Sequence, residues 1–197
     1  MAVKLAQQYR EYDVIVVGAG MVGAAFACLL GRSNSSLSIA LLEARATAAF
    51  DPEHFDPRVA ALTEKSRSLL DCCGAWNSIA AQRVSAYGAM QVWDAEGTGE
   101  IHFDCQDVQQ PNLGHIVENS LVVESLLAEV DKLDNVDFLC PVSVVQYSQS
   151  QSQVSVELSS GEQLVAPLLV AADGGNSSIR EQFKFATREW DYGHSAI

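Results

Sequence analysis

Basic residues are scarce in this chain. Twelve Lys and Arg stand against 25 Asp and Glu, a formal charge of −13 at pH 7, and the basic residues never gather beyond isolated pairs. Such a field repels phosphate backbones and anionic headgroups, which argues against nucleic acid as a partner. The five cysteines (Cys28, Cys72, Cys73, Cys105, Cys140) are odd in number and lack any C-x-x-C spacing. That argues against a disulfide framework and a zinc site and suits a reducing cytosol. The Asn-x-Ser matches at Asn34 and Asn176 then read as chance. His54, His102, His115 and His194 show no metal-ligand spacing, and no G-x-S-x-G elbow occurs. Neither a metal site nor a catalytic nucleophile is assigned. The segment from Met1 to Tyr12 is polar and has no apolar stretch of the kind a signal peptide needs.

Long hydrophobic runs are also missing, with one ambiguous case. Val14 to Leu30 carries no charge, but it is slightly short for a bilayer and holds Gly18, Gly20 and Gly23 in its interior. A buried strand, a glycine turn and a buried helix produce the same hydropathy, so no transmembrane segment is read here. With 197 residues and 48% hydrophobic content, the chain can bury a real core and is neither disordered nor fibrous.

Along the chain, Ala44 to Asp56 reads as a loop and Glu64 to Ala81 as a helix broken near Gly74. Alternation in Ala89-Met90-Gln91-Val92-Trp93, then Gly97-Thr98-Gly99, then Ile101-His102-Phe103 predicts a β-hairpin. From Val117 to Leu133 the apolar residues Val122, Val123, Leu126, Leu127 and Val130 recur at helical spacing. Strands are expected at Asp137 to Leu139, Ser143 to Gln146, Val154 to Leu158 and Leu164 to Ala172, with a turn at Ser160-Gly161-Glu162 between the last two. Helices and strands interleave, so the fold class is α/β with an antiparallel insertion. The Ser/Gln run from Ser148 to Gln153 is a short solvated loop.

The firmest prediction is a βαβ dinucleotide-binding unit from Asp13 to Glu43. Gly18-Ala19-Gly20-Met21-Val22-Gly23 follows an apolar strand, Tyr12 to Val17, and opens a helix, Met21 to Leu30. Gly18 permits the sharp turn, Gly20 lets backbone approach a pyrophosphate, and Gly23 with Ala27 lets the helix lie close. The helix N-terminus supplies N–H donors and the positive end of a dipole. The strand Ser38 to Leu42 ends in Glu43, where this architecture places the acid that accepts hydrogen bonds from ribose hydroxyls. A carboxylate there disfavours the 2′-phosphate of NADP. A second constellation, Leu168 to Ala172 followed by Asp173-Gly174-Gly175-Asn176-Ser177-Ser178-Ile179-Arg180, is again a strand, a tight turn and a helix start. By itself it is more often a plain turn; beside the first motif it reads as ligand-binding.

Taken together, the glycine turn, Glu43, Arg58 within Asp56-Pro57-Arg58-Val59-Ala60-Ala61-Leu62, and the Asp173-Gly174…Ser177…Arg180 block resemble the aromatic-ring flavoprotein monooxygenases of the para-hydroxybenzoate hydroxylase type. Tyr87-Gly88-Ala89-Met90-Gln91-Val92-Trp93-Asp94, Gly114-His115-Ile116-Val117-Glu118-Asn119 and Arg188-Glu189-Trp190-Asp191-Tyr192 are more narrowly similar to the bacterial ubiquinone-biosynthesis hydroxylases, in particular the 2-octaprenylphenol hydroxylase branch. The resemblance implies FAD bound through Gly18, Ala19, Gly20, Met21, Val22, Gly23 and Glu43. Arg58 would lie near the flavin, backbone at Val144 against the adenine, and Asp173-Gly174 along the pyrophosphate and ribityl chain. It also implies NAD(P)H as co-substrate and O₂-dependent hydroxylation of a prenylphenol, with contacts to other ubiquinone-biosynthesis proteins. The protein would be cytoplasmic, touching a membrane peripherally through its substrate.

The implied architecture is a Rossmann-like FAD-binding domain with an inserted antiparallel β portion of a substrate domain, the C-terminal half being absent. Residues 1–83 and 109–185 would form the FAD-binding domain and 84–108 a hairpin of the substrate domain, with 186–197 opening the substrate-domain sheet. The family's further Gly-Asp motif and glycine-rich helix start do not occur, so the chain reads as an N-terminal portion that binds FAD weakly and does not hydroxylate alone. Another FAD-dependent aromatic hydroxylase, an NAD-dependent dehydrogenase and a non-catalytic subunit of a quinone-synthesis complex remain open. Val117-Glu118-Asn119 reads equally as a helix cap or as flavin-proximal. Trp93 and Trp190 are expected to be packing residues.

Overall fold

The computed structural model describes residues 9–47 and 49–193; the expectations for residues 1–8, for His194 and for the final residues to Ile197 lie outside the described residues. Strand β1 (Tyr9–Glu11) leads into β2 (Val14–Val17), helix α1 (Met21–Ser33) and β3 (Ile39–Leu42). Then come β4 (Val59–Thr63), α2 (Glu64–Cys73), α3 (Trp76–Ala80), β5 (Val84–Tyr87) and the hairpin β6 (Ala89–Trp93) and β7 (Glu100–Asp104). β8 (Gly114–Glu118), α4 (Asn119–Val130), β9 (Val136–Leu139), β10 (Val144–Gln149), β11 (Val154–Leu158), β12 (Gln163–Ala166), β13 (Leu168–Ala171) and α5 (Ser178–Gln182) complete the described chain.

The central sheet is parallel, in the order β13-β2-β3-β9. Apart from Asp137 in β9, its strands are apolar, as in parallel sheets that are covered on both faces. Val14, Val16, Ile39 and Leu41 pack with Ala24 and Cys28 of α1, Leu70 of α2, and Val122 and Leu126 of α4. The alternate residues Ile15, Ala40 and Leu42 pack on Val156, Leu158 and Leu164. Those last three belong to a second sheet, ordered β1-β12-β11-β10, whose only parallel pair is β1 with β12. Three layers result: helices, parallel sheet, antiparallel sheet. The helix broken near Gly74 is two helices. Thr63 caps α2 by accepting from Ser66 N–H at 3.2 Å, and Gly74 ends it at φ +85°, a left-handed conformation that glycine adopts without a Cβ penalty.

The structure departs from the sequence reading in several places. The single strand expected from Leu164 to Ala172 is two strands in different sheets, β12 and β13, separated by Pro167. Proline has no N–H for the ladder, so pairing breaks there and the chain crosses between sheets. The helix expected from Val117 starts at Asn119, because Val117 and Glu118 are paired in β8 with Ala60 and Val59. β4, β8 and β5 form an unanticipated three-stranded sheet. β5 belongs to it through Val84↔Val117, so the hairpin sheet holds only β6 and β7 (Ala89↔Asp104 to Trp93↔Glu100) out of the expected 84–108 span. The strand expected within 186–197 is not formed among the described residues up to Gly193. Trp93 and Trp190 are 67% and 63% exposed, so neither is buried in a core.

Candidate functional site

The parallel strands end in register, and each ladder runs one residue past its strand. Gly18 N–H donates to Leu42 O at 2.8 Å, Glu43 N–H to Leu139 O at 3.0 Å, and Ala172 N–H to Val17 O at 2.7 Å. Gly18, Glu43 and Asp173 are therefore delivered to one carboxyl edge, where ligands of open α/β sheets bind. A cleft of about 520 Å³ opens there, lined by Gly18, Gly20, Glu43, Arg58, Val144, Asp173 and Gly174, along with Arg45, Tyr147 and Ser178. Of the residues predicted from sequence, Ala19, Met21, Val22 and Gly23 do not line it. Ala19 and Gly23 are buried under the turn, while Met21 and Val22 face a separate apolar groove between α1 and α2.

The glycines of the turn differ in what constrains them. Gly18 has φ +99°, and a Cβ on it would lie 2.3 Å from Ala172 O. A Cβ on Gly23 would lie 1.8 Å from Gly18 O, so Gly23 is required by contact with the turn itself more than with the sheet. Around Gly20, Gly174 and Gly175 no atom lies within 4 Å of such a Cβ. Their backbones face open space that a ligand could enter closely. α1 has no side-chain N-cap and no acidic residue in its first turn. Its leading N–H groups and positive dipole end thus have no side-chain cap and no acid of their own turn to offset them, a fit to a phosphate.

Glu43 holds the turn from the next strand. Its Oε2 accepts from Ala19 N–H at 2.9 Å and its Oε1 from Arg45 N–H at 3.0 Å. Each carboxylate oxygen retains a lone pair for a further donor. On the other side of the cleft, Asp173 accepts from Ile179 N–H at 3.3 Å and from Ser178 Oγ at 3.4 Å. Ser177 caps α5 by accepting from Arg180 N–H at 3.0 Å, and Arg180 Nη2 donates to Gly175 O at 2.6 Å. The Asp173–Arg180 block is thereby a closed loop with Gly174 at φ +86°.

Arg58 projects from the loop before β4, its side chain 72% exposed, with Nε 3.7 Å from Asp56 Oδ1. Asp56 accepts from Arg58 N–H at 2.9 Å and from Ser120 N–H at 3.2 Å, and these bonds, that from Arg58 foremost, hold its carboxyl below the usual range. Asp13, accepting from the Ser38 backbone and hydroxyl, and Asp51, accepting from Glu53 N–H and His54, are shifted the same way. For a carboxyl lowered on folding, the stabilisation is full above its unfolded value, about 3.9, and is lost as pH falls through the folded value. The melting temperature is therefore expected to hold from pH 7 to about pH 5 and to fall below about pH 4. Scans of the protein and of Asp56→Asn check this: an acid limb of the same depth in both would show that Asp56 contributes nothing.

Sequence reasoning missed Arg45 and Tyr147 in the cleft. Arg45 could have been found as the residue two past the strand-end acid. Tyr147 sits edge-to-face on Phe183 with centroids 6.3 Å apart, and burial raises its phenol; nothing in its local pattern marks it. Glu118 occupies the N-cap position of α4, but its side chain makes no cap hydrogen bond and is engaged instead by Arg83 and by Asp56 N–H. Among the described residues no three His, Cys, Asp or Glu side chains gather as a metal site, and no helix is long and apolar enough to cross a membrane.

A glycine turn at an uncapped helix start, an acid at the next strand end and a second glycine turn across the cleft define a dinucleotide-binding α/β protein. More particularly, the chain belongs to the FAD-binding-domain family, whose pattern matches residues 11–194. It is 37% identical to the mitochondrial ubiquinone biosynthesis monooxygenase COQ6 of Xenopus tropicalis, over 94% of this chain and 42% of that protein. To the 3-demethoxyubiquinol 3-hydroxylase of Escherichia coli K12 it is 30% identical, over 94% and 47%. The chain thus spans less than half the length of these relatives. Among solved structures, PqsL of Pseudomonas aeruginosa shares the fold at a TM-score of 0.72 and 19% identity, over 93% of this chain and 48% of that one. The OxyS anhydrotetracycline hydroxylase of Streptomyces rimosus does so at 0.73 and 20%, over 92% and 36%.

Proposed function

We propose that this chain is the FAD-binding portion of a flavin-dependent monooxygenase that hydroxylates the ring of a polyprenylphenol in ubiquinone biosynthesis, with NAD(P)H and O₂ as co-substrates. The observation that carries the reading is the convergence of Gly18, Gly20, Glu43, Arg58, Asp173 and Gly174 on one cleft in a chain 37% identical to a ubiquinone-biosynthesis monooxygenase.

Bound FAD would supply the redox chemistry, passing electrons from NAD(P)H to O₂ for ring hydroxylation. The chain's own residues bind and orient. Gly20 gives a pyrophosphate room against the first N–H groups of α1, and those groups offset its charge. Glu43 would accept from the adenosine ribose hydroxyls with the lone pairs left over from Ala19 and Arg45. Backbone near Val144 would hold the adenine, Asp173-Gly174 the chain toward the flavin, and Arg58 the flavin-bearing end. In a molecule of charge −13, Arg45 and Arg58 line this cleft; Arg45, beside Glu43, is the cation that would favour the diphosphate, and Arg58 serves the flavin-bearing end.

The five cysteines are free in the structure, which suits a reducing compartment. The prenyl tail of the substrate would bring the protein to a membrane surface, where other ubiquinone-biosynthesis proteins would be its neighbours. The test is a flavin titration followed by reduction. We expect the chain to bind FAD weakly, to show a protein-bound flavin spectrum that NADH or NADPH bleaches faster when a phenol is present, and not to hydroxylate alone. Enhanced NADH fluorescence with no flavin bound would instead indicate a nicotinamide-dependent dehydrogenase. Flavin retained through desalting, with turnover of a prenylphenol, would show that this chain needs no further polypeptide.

A further inference from the structure

Arg83 lies between α3 and β5 and does not line the cleft. Its guanidinium is nevertheless the most heavily engaged cation among the described residues. Nη1 donates to Pro52 O at 2.8 Å; Nη2 donates to Asp51 O at 2.7 Å, His54 O at 2.8 Å and Glu118 Oε2 at 3.0 Å. Nε is 2.9 Å from Glu118 Oε1, but its N–H points off that line, so this contact is ionic and the Nη2 bond is the directional one. Phe50 and Phe55 present ring centroids 4.8 Å and 4.4 Å from the guanidinium carbon, a cation–π arrangement.

The partner acid passes the constraint on. Glu118 has a side chain 5% exposed, and its Oε2 also accepts from Asp56 N–H at 3.2 Å. Asp56 in turn accepts from Arg58 N–H and lies 3.7 Å from the Arg58 guanidinium. From the other side, Asn119 N–H donates to Arg58 O at 2.9 Å. Among the described residues from Glu43 to Arg58 there is no helix or strand, so the shape of this segment rests largely on these bonds. Without them the backbone under Arg58 would be free to sample many conformations.

We propose that Arg83 is a positioning residue for Arg58, acting through Glu118 and Asp56. It fixes the 50–58 loop so that the exposed Arg58 guanidinium is presented to the flavin-bearing end of the cleft. The inference rests on the reading of Arg58 as a flavin-side residue. The planar fork is what allows one side chain to reach three loop carbonyls and a carboxylate together. A lysine, with one compact ammonium, cannot span them.

The test compares the protein with Arg83→Met, Arg83→Lys, Arg58→Ala and the Arg83→Met/Arg58→Ala double variant. FAD and ADP affinities are measured by titration, and trypsin cleavage at the Arg58–Val59 bond is followed by mass spectrometry. ADP spans only the glycine turn and Glu43, so its affinity should stay within about twofold throughout. FAD affinity should fall about tenfold in Arg58→Ala and in Arg83→Met, with the double variant no weaker than Arg58→Ala, the mark of residues acting as one unit. Arg83→Lys should recover little of the FAD affinity, and cleavage after Arg58 should rise about tenfold in both Arg83 variants.

Losses of FAD affinity that multiply in the double variant, or an equal loss of ADP and FAD affinity, would overturn the positioning role, as would unchanged cleavage. If Arg58→Ala leaves FAD affinity intact, the flavin-side reading of Arg58 fails, whereas faster cleavage would still report the mechanical link from Arg83. Should Arg83→Met lose its cooperative melt, Arg83→Lys, which keeps the charge, carries the same comparisons.

Discussion

Gly20→Asp is expected to abolish nucleotide binding while leaving the fold intact. The space where its Cβ would stand is empty of protein within 4 Å, so the apoprotein has nothing to rearrange. A carboxylate beside the N-terminus of α1 even interacts favourably with the helix dipole. The same carboxylate would occupy the place of a pyrophosphate and repel it, so FAD and ADP affinity should both fall by about a hundredfold or more, some 3 kcal/mol. The melting temperature should move by less than about 2 °C, as for a surface substitution. Gly23→Ala is the contrasting case. Its Cβ would fall 1.8 Å from the Gly18 carbonyl oxygen, which is backbone and cannot swing aside, and overpacking of this kind costs about 3 kcal/mol or more. Titration calorimetry beside thermal melts separates the two: retained ADP affinity in Gly20→Asp would show that this turn does not hold a diphosphate.

A large loss of stability is also expected from Ile15→Ala. Ile15 is fully buried, paired with Leu169 on one side and Ala40 on the other, and it faces Val156, Leu158 and Leu164 of the second sheet. Removing its outer carbons leaves a void between two sheets, each held by its own hydrogen bonds, so little collapse can fill it. Such truncations cost about 2–5 kcal/mol, and about 3 kcal/mol corresponds to a melting temperature lower by roughly 6–12 °C in a chain of this size. Ile101→Ala on the β6–β7 hairpin is the control, because Ile101 is 57% exposed and should cost less than about 0.5 kcal/mol. Equal shifts in the two variants would refute the two-sided burial of the parallel sheet.

The parts of the fold that sequence made legible are those with local causes. β2, the glycine turn, α1 and β3 follow from an unbroken apolar run, three glycines and an acid at fixed spacing. The β6–β7 hairpin follows from alternation around Gly97-Thr98-Gly99. The three-stranded sheet was not legible, because β4 pairs with β8, Val59↔Glu118, across a long interval that holds α2, α3, β5, β6 and β7, and β4 is only half-buried on its inner positions. Pro167 was visible but its effect was misjudged: the apolar residues on either side suggested one strand, whereas a missing N–H divides them between two sheets. In the site, Glu43 could be placed by spacing alone. Arg58, Val144 and the role of Asp173 came from resemblance, since their convergence depends on strand ends meeting in space. Arg83 and Glu118 were beyond reach for the same reason. Nothing in Gln82-Arg83-Val84 shows that this arginine faces the carbonyls of residues 51, 52 and 54.

The three passages of the chain between the parallel sheet and the second sheet are short: Tyr12 and Asp13 join β1 to β2, Cys140 to Ser143 join β9 to β10, and Pro167 alone joins β12 to β13. Tyr12 is buried in the shared core, and its hydroxyl donates to Asp137 of β9 at 2.6 Å. Three tethers of this length leave no hinge between the sheets. Val144 and Tyr147 on one wall of the cleft and Gly18 and Asp173 on the other are therefore fixed in separation, as the jaws of a gauge are. Whatever enters is measured against a set width.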